Sequence, residues 1–97
     1  MEQALRALSD PNRRRILSLV RDGERSSSEL AGEFSVSWPA VSQHLRVLRD
    51  AGLVSERRDG TRRLYRARPE GLADVRAFLD EFWDDKLKRL KREVERG

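Results

Sequence analysis

The stretch from Ser26 to Gly52, "SSSELAGEFSVSWPAVSQHLRVLRDAG", constrains this chain more than any other. Ser26 and Glu29 stand at the spacing of a capping box, in which each side chain accepts from the other residue's backbone N–H. Leu30, Ala31 and Phe34 then share one helical face, and Gly32 weakens the segment, so a short helix is expected. A second helix has Ser37 as N-cap and Val41, Leu45 and Leu48 as its apolar stripe. It runs to about Ala51, where Gly52 stops it. Only "SVS" separates the two. Helices joined this tightly form a helix-turn-helix, here residues 26–51.

The flanks extend this pattern. Residues 3–8 read as a short helix with Leu5 and Leu8 at i, i+3. "SDPNRRRILSLVRDG" reads as another, capped by Asp10, with Pro11 at the first helical position. Its apolar stripe is Ile16, Leu17 and Val20, and Gly23 ends it. Val54–Arg58 and Arg62–Ala67 read as two strands around Asp59-Gly60, whose chemistry suits a hairpin turn. From Leu72 to about Glu95, Leu72, Val75, Leu79, Phe82, Trp83, Leu87, Leu90 and Val94 recur at helical spacing. The predicted order is α-α-α-α-β-β-α, mainly α with a small β-hairpin. That is a winged helix-turn-helix in which residues 54–67 form the wing. Residues 1–97 fit a single domain.

A chain of this length buries only about 60–65% of its unfolded surface, which is marginal for a monomer. The last helix either folds back on its own domain or pairs with the same helix of a second chain. Its stripe is longer than so small a domain covers, which favours a homodimer. The chain has no cysteine, so disulfides, thiolate metal sites and thiol switches are excluded. No apolar run approaches the ~18 residues of a membrane span. The N-terminal stretch lacks the apolar core of a signal peptide. The expectation is a cytoplasmic protein that engages no membrane.

Charge narrows the partner. Residues 1–37 hold six Arg and six acids, whereas residues 38–68 hold eight Arg and three acids, a net +5. The remaining residues, 69–97, are close to balance at −1. Arginine's planar fork suits phosphates and base edges, so the middle third fits double-stranded DNA. The alternative meaning is a solvated basic surface.

On the second helix of the pair, Ser42, Arg46 and Arg49 lie opposite the apolar stripe with Gln43 beside them, and His44 falls at the border. The N-terminal part of such a helix meets base edges in the major groove. Ser37, Trp38, Pro39, Ser42, Gln43 and Arg46 occupy that part and are the expected base-reading residues. Gln suits adenine and Arg suits guanine or phosphate. Trp38 either presses on thymine methyls or packs against the turn. Arg57, Arg58, Arg62 and Arg63 crowd the wing tip and are expected at the DNA backbone or minor groove. Their other reading is a charged edge that blocks strand pairing. Arg13 and Ser26 are further backbone candidates, with Arg13 to Arg15 equally able to form ion pairs and the helix start at Ser26 offering free N–H groups.

His44 is the only histidine. Without thiols or further histidines it lacks the ligands of a metal site. It has no paired nucleophile, and no glycine-rich phosphate loop exists, so no catalytic role or cofactor is expected and the chain is not read as an enzyme. A half-buried histidine that also touches a phosphate is the expected role.

The segments "ALSDPNRRRILSLV", "SSSELAGEFSVSWPAVSQHLRVLRDAGLV" and "RRDGTRRLYRA" resemble the ArsR/SmtB family of winged-helix repressors over residues 4 to 68. The resemblance implies a homodimer joined through its first and last helices, residues 1–8 and 72–95. The expected contacts are Leu5, Leu8, Leu72, Val75, Leu79, Phe82, Trp83, Leu87 and Leu90. It also implies repression at an operator with dyad symmetry. Metal-sensing members carry a cysteine pair in the helix before the recognition helix, or His and acidic ligands in the last helix. Here the first location reads "SELAGEF" and the last helix has no histidine, so the chain resembles the branch that does not sense metals. No residue pattern names an inducer. The expected function is a sequence-specific, DNA-binding transcriptional regulator, a homodimeric repressor. The alternative is a winged-helix protein-interaction module without DNA function.

Overall fold

A computed structural model of the chain describes the backbone of residues 1–96, with side chains described except at 84–88, 90, 91, 95 and 96. Its elements are α1 (Glu2–Leu8), α2 (Pro11–Leu19), β1 (Arg25–Ser26), α3 (Ser27–Gly32), α4 (Trp38–Asp50), β2 (Val54–Asp59), β3 (Arg62–Ala67) and α5 (Ala73–Arg96). A single 3-10 turn, Pro69–Leu72, leads into α5. The predicted helices, the helix-turn-helix and the wing are all present. No helix among the described residues is long and apolar enough to cross a membrane.

Local chemistry sets the helix ends. The Asp10 carboxylate accepts from the backbone N–H groups of Asn12 and Arg13, and Pro11 gives up no needed donor at the first position. Ser26 and Glu29 form the full reciprocal box at the start of α3. Ser37 Oγ accepts from the Ala40 N–H at the start of α4. At its far end Gly52 adopts φ +75°. Gly52 N–H donates to Arg49 O and Leu53 N–H donates to Leu48 O, the paired bonds of a Schellman stop. By contrast α2 ends at Leu19, and Gly23, the expected terminator, has no positive φ and no part in the stop.

The sheet departs from expectation in two ways. It has three strands in the order β1-β3-β2, all antiparallel, not two. Arg25 and Ser26 pair with Tyr65 and Leu64 and cover the second edge of β3. The hairpin turn also shifts by one residue. Asp59 pairs with Arg62 inside the ladder, so the turn is Gly60-Thr61. Gly60 at φ +64° takes the first central position, where a type II′ turn needs glycine.

One core joins these parts: Ala4, Ala7, Ile16, Val20, Leu30, Val41, Leu45, Leu48, Leu53, Val54, Tyr65 and Val75. Each fully buried aliphatic side chain contributes about 1.5–3 kcal/mol by leaving water. The inward face of α1 is Ala4 and Ala7, with Leu8 partly buried beside them, while Leu5 is exposed. Alanine lets α1 approach α2 and α4 closely. Among the described residues of α5, Val75 alone enters the core, with Leu72 just before the helix packed against it. The Cα radius of gyration is 17.2 Å, against about 12–13 Å for a compact chain of this length.

Candidate nucleic-acid interface

The two helices of the helix-turn-helix leave one face of α4 uncovered. Ser37, Trp38, Pro39, Ser42, Gln43 and Arg46 are all exposed there. Trp38 is half exposed, at 50%, so it does not pack away against the turn. Trp38, Ser42, Arg46 and Arg49 form a ridge that faces the wing. Across from them stand Ser27, Thr61, Arg63 and Tyr65, and together these residues line a cleft of about 320 Å³. Gln43 lies off this cleft.

Beneath the cleft sits Glu56. Its carboxylate accepts from Arg49 Nη1 at 3.1 Å and from the Tyr65 hydroxyl at 3.2 Å, and lies 3.9 Å from Arg63 Nε. Burial and the Glu56 carboxylate both raise the Tyr65 pKa above its ordinary value. The hydrogen bond that Arg49 donates to Glu56 raises the pKa of Arg49.

The wing arginines divide by face. Successive strand residues point to opposite sides. Arg58 and Arg63 are cross-strand partners on the side of Glu56 and Tyr65, while Arg57 and Arg62 share the other side with Leu64. On that second side acids intervene. Glu24 accepts from Arg57 Nε at 2.7 Å and Nη2 at 3.0 Å. Glu29 accepts from Arg62 Nη2 at 2.9 Å. The Arg57 bond holds the Glu24 carboxyl below its usual range. The hydrogen bonds from Ser26, then the Arg62 and Arg25 charges, do the same for Glu29. The wing's charge is therefore smaller than its arginine count implies. Among the described residues, no ion pair engages Arg58.

Two expected backbone contacts are otherwise engaged. Ser26 is buried, and its hydroxyl both accepts from Glu29 N–H and donates to Glu29 Oε1. Its backbone N–H also donates to Glu29 Oε1, so Ser26 itself keeps no free donor for a phosphate. Arg13 donates from Nε to Ala7 O at 2.7 Å and from Nη2 to Arg6 O at 3.1 Å, closing the end of α1. Its Nη1 lies 3.3 Å from His44 Nδ1. Arginine only donates, so a neutral His44 would accept at Nδ1 and carry its ring proton on Nε2. His44 is half-buried, as its place on the helix wheel implies. Asp10 faces the same group. Burial raises its pKa, but the N–H bonds of Asn12 and Arg13 and the charges of His44 and Arg13 outweigh this and lower it. Among the described residues no three His, Cys, Asp or Glu side chains gather as a metal-holding group.

The expected contacts to a second chain also divide. Val75 is packed into this chain's own core, and Leu8 and Leu72 lie against it. Leu5, Leu79, Phe82 and Trp83 are exposed, with Phe82 at 63%. Leu87 and Leu90 lie outside the described side chains. Phe78, which the spacing did not single out, is 54% exposed beside Phe82 on the same stripe. Its place four residues before Phe82 was the signal.

Residues 10–56 match the family described as "Bacterial regulatory protein, arsR family". The chain is 49% identical over 82 residues to the HTH-type transcriptional regulator Rv2034 of Mycobacterium tuberculosis (strain ATCC 25618 / H37Rv), covering 84% of this chain and 77% of that protein. It is 38% identical over 60 residues to the transcriptional repressor SdpR of Bacillus subtilis (strain 168), covering 62% and 67%. A crystal structure described as a possible transcriptional regulator for arsenical resistance superposes with a TM-score of 0.76, at 47% identity, over 96% of each chain.

Proposed function

The chain belongs to the arsR family of bacterial regulatory proteins, and from that membership we propose that it acts as a homodimeric repressor at a pseudo-palindromic operator. It is a DNA-binding transcriptional regulator, in a family of regulators and not of enzymes. In this reading residues 26–51 dock on DNA, residues 54–67 form the wing, and residues 1–8 and 72–95 join two chains. The protein works in the cytoplasm.

One observation carries the reading: an exposed polar ridge on α4 beside a wing whose near side offers Arg58 and Arg63. Base edges meet Ser37, Trp38, Pro39, Ser42 and Gln43, with Arg46 at the limit of the groove. Arg58 and Arg63, and the His44 Nε2–H, meet the backbone. Arg57 and Arg62 join them only by leaving Glu24 and Glu29. Pairing of two chains is supported by Leu5 and the uncovered Phe78, Phe82 and Trp83, an apolar surface of the kind that marks protein contacts. Two copies then set their recognition helices about 34 Å apart.

Selection of bound duplexes from a random pool tests this. The expected product is an inverted repeat. Gln43→Ala relaxes the choice at one position by about 1–3 kcal/mol, whereas Arg58→Ala weakens all duplexes alike and lowers the salt slope by about 1 per half-site. A pool that returns no enriched sequence overturns the proposal.

A further inference from the structure

We infer that the cleft between α4 and the wing seats one backbone phosphate of the bound duplex, held by Arg49 and Arg63 from opposite walls. The inference rests on the DNA reading above and names the group that this part of the surface takes. When a helix lies in the major groove and a wing reaches the adjacent minor groove, the sugar-phosphate strand dividing the grooves must pass between them. Among the described residues, the way through is the cleft lined by Trp38, Ser42, Arg46, Arg49, Thr61 and Arg63.

The lining suits that passenger. Its arginines and hydroxyls all donate hydrogen bonds, and no carboxylate is among the lining residues. Glu56 lies behind and not in the cleft, its side chain 21% exposed against 44% for Arg49 and 51% for Arg63. It tethers Arg49 and lies within ion-pair reach of Arg63. Arg49 also lies 3.5 Å from the Asp50 carboxylate through Nη2, and with five N–H donors on each guanidinium both arginines keep donors for a phosphate.

The test uses the duplex recovered by selection, with each phosphate in turn replaced by an uncharged methylphosphonate. For the wild-type protein, one position per half-site, on the strand between the two grooves, lowers affinity about tenfold. In Arg49→Gln the whole series is weaker, and that position no longer matters. Arg63→Gln, on an exposed strand, repeats the result should Arg49→Gln fail to fold. Both variants lower the slope of log affinity against log salt by about 1 per half-site while keeping the selected sequence preference. A scan in which no position loses its effect in either variant overturns the phosphate seat. It leaves the DNA reading intact, since the selected duplex still binds. Inorganic phosphate, compared with chloride at equal ionic strength, is the control for source. Stabilisation of the DNA-free wild-type protein by phosphate, lost in Arg49→Gln, together with a methylphosphonate scan that is flat for the wild type, would identify a free-phosphate site and overturn the assignment to the strand.

Discussion

At the scale of single residues, two glycines of similar appearance in the sequence have opposite consequences. A Cβ at Gly71 would lie 2.0 Å from the Gly52 carbonyl oxygen, a backbone atom that cannot step aside. Gly71→Ala is therefore expected to cost about 1–3 kcal/mol, as overpacking does. Gly32 closes α3, and a methyl added there would meet nothing within 4 Å, so Gly32→Ala should stabilise the fold by about 0.5–1 kcal/mol. Urea unfolding midpoints measure both, and equal shifts would contradict the contact. Neither difference is legible in the chain, because the Gly71 contact joins residues 19 positions apart. The same limit explains the arginines. Counting along the sequence located the basic wing, but Glu24 and Glu29 each meet their arginine 33 residues later. Arg13 read as a DNA-backbone or ion-pair candidate because its partners in the fold are two backbone carbonyls and an imidazole, which carry no sequence signature.

At the scale of elements, the helices were legible because their signals are local. Asp10, the Ser26 and Glu29 box, Ser37 and Gly52 each act within four or five residues of where they stand. β1 was not legible, since two residues have no periodicity, and it exists only because β3 offers an edge. The Gly60-Thr61 turn was missed by one residue because Asp59 is as good in a loop as it proves to be in the ladder. Several of these devices titrate. Asp10 and Glu29 cap helices, Glu24 holds the wing, and all three carboxyls are lowered from ordinary values of 3.8 for Asp and 4.5 for Glu. A depressed folded pKa contributes stability that is full above the ordinary value and lost as pH falls through the lowered one. Unfolding free energy from these groups is thus expected to hold steady down to about pH 5 and decline below it. Glu24→Gln should make that decline shallower. Denaturation at a series of pH values reads it, and an unchanged acid slope would exclude the Arg57 bond as its source.

At the scale of the whole molecule, the dominant fact is an unfinished surface. The chain measures 60 × 23 × 21 Å, and its long axis carries Phe78, Phe82 and Trp83 in the open. Phe82 and Trp83 meet edge to face at 6.1 Å, a ready aromatic patch. Replacing both with Glu should leave the domain folded, since neither enters the core, and give a single chain in sedimentation. Affinity for the inverted repeat should then fall by about 10² or more, as two linked contacts become one. A variant that still sediments as a pair would move the contact elsewhere. The guanidinium of Arg13 gives this assembly a further property. It grips the end of α1, which displays Leu5 outward, and with the same plane it holds the imidazole of the reading helix. In the proposed dimer Arg13 would therefore stand between the chain contact at α1 and His44 on α4, a bridge a single residue long.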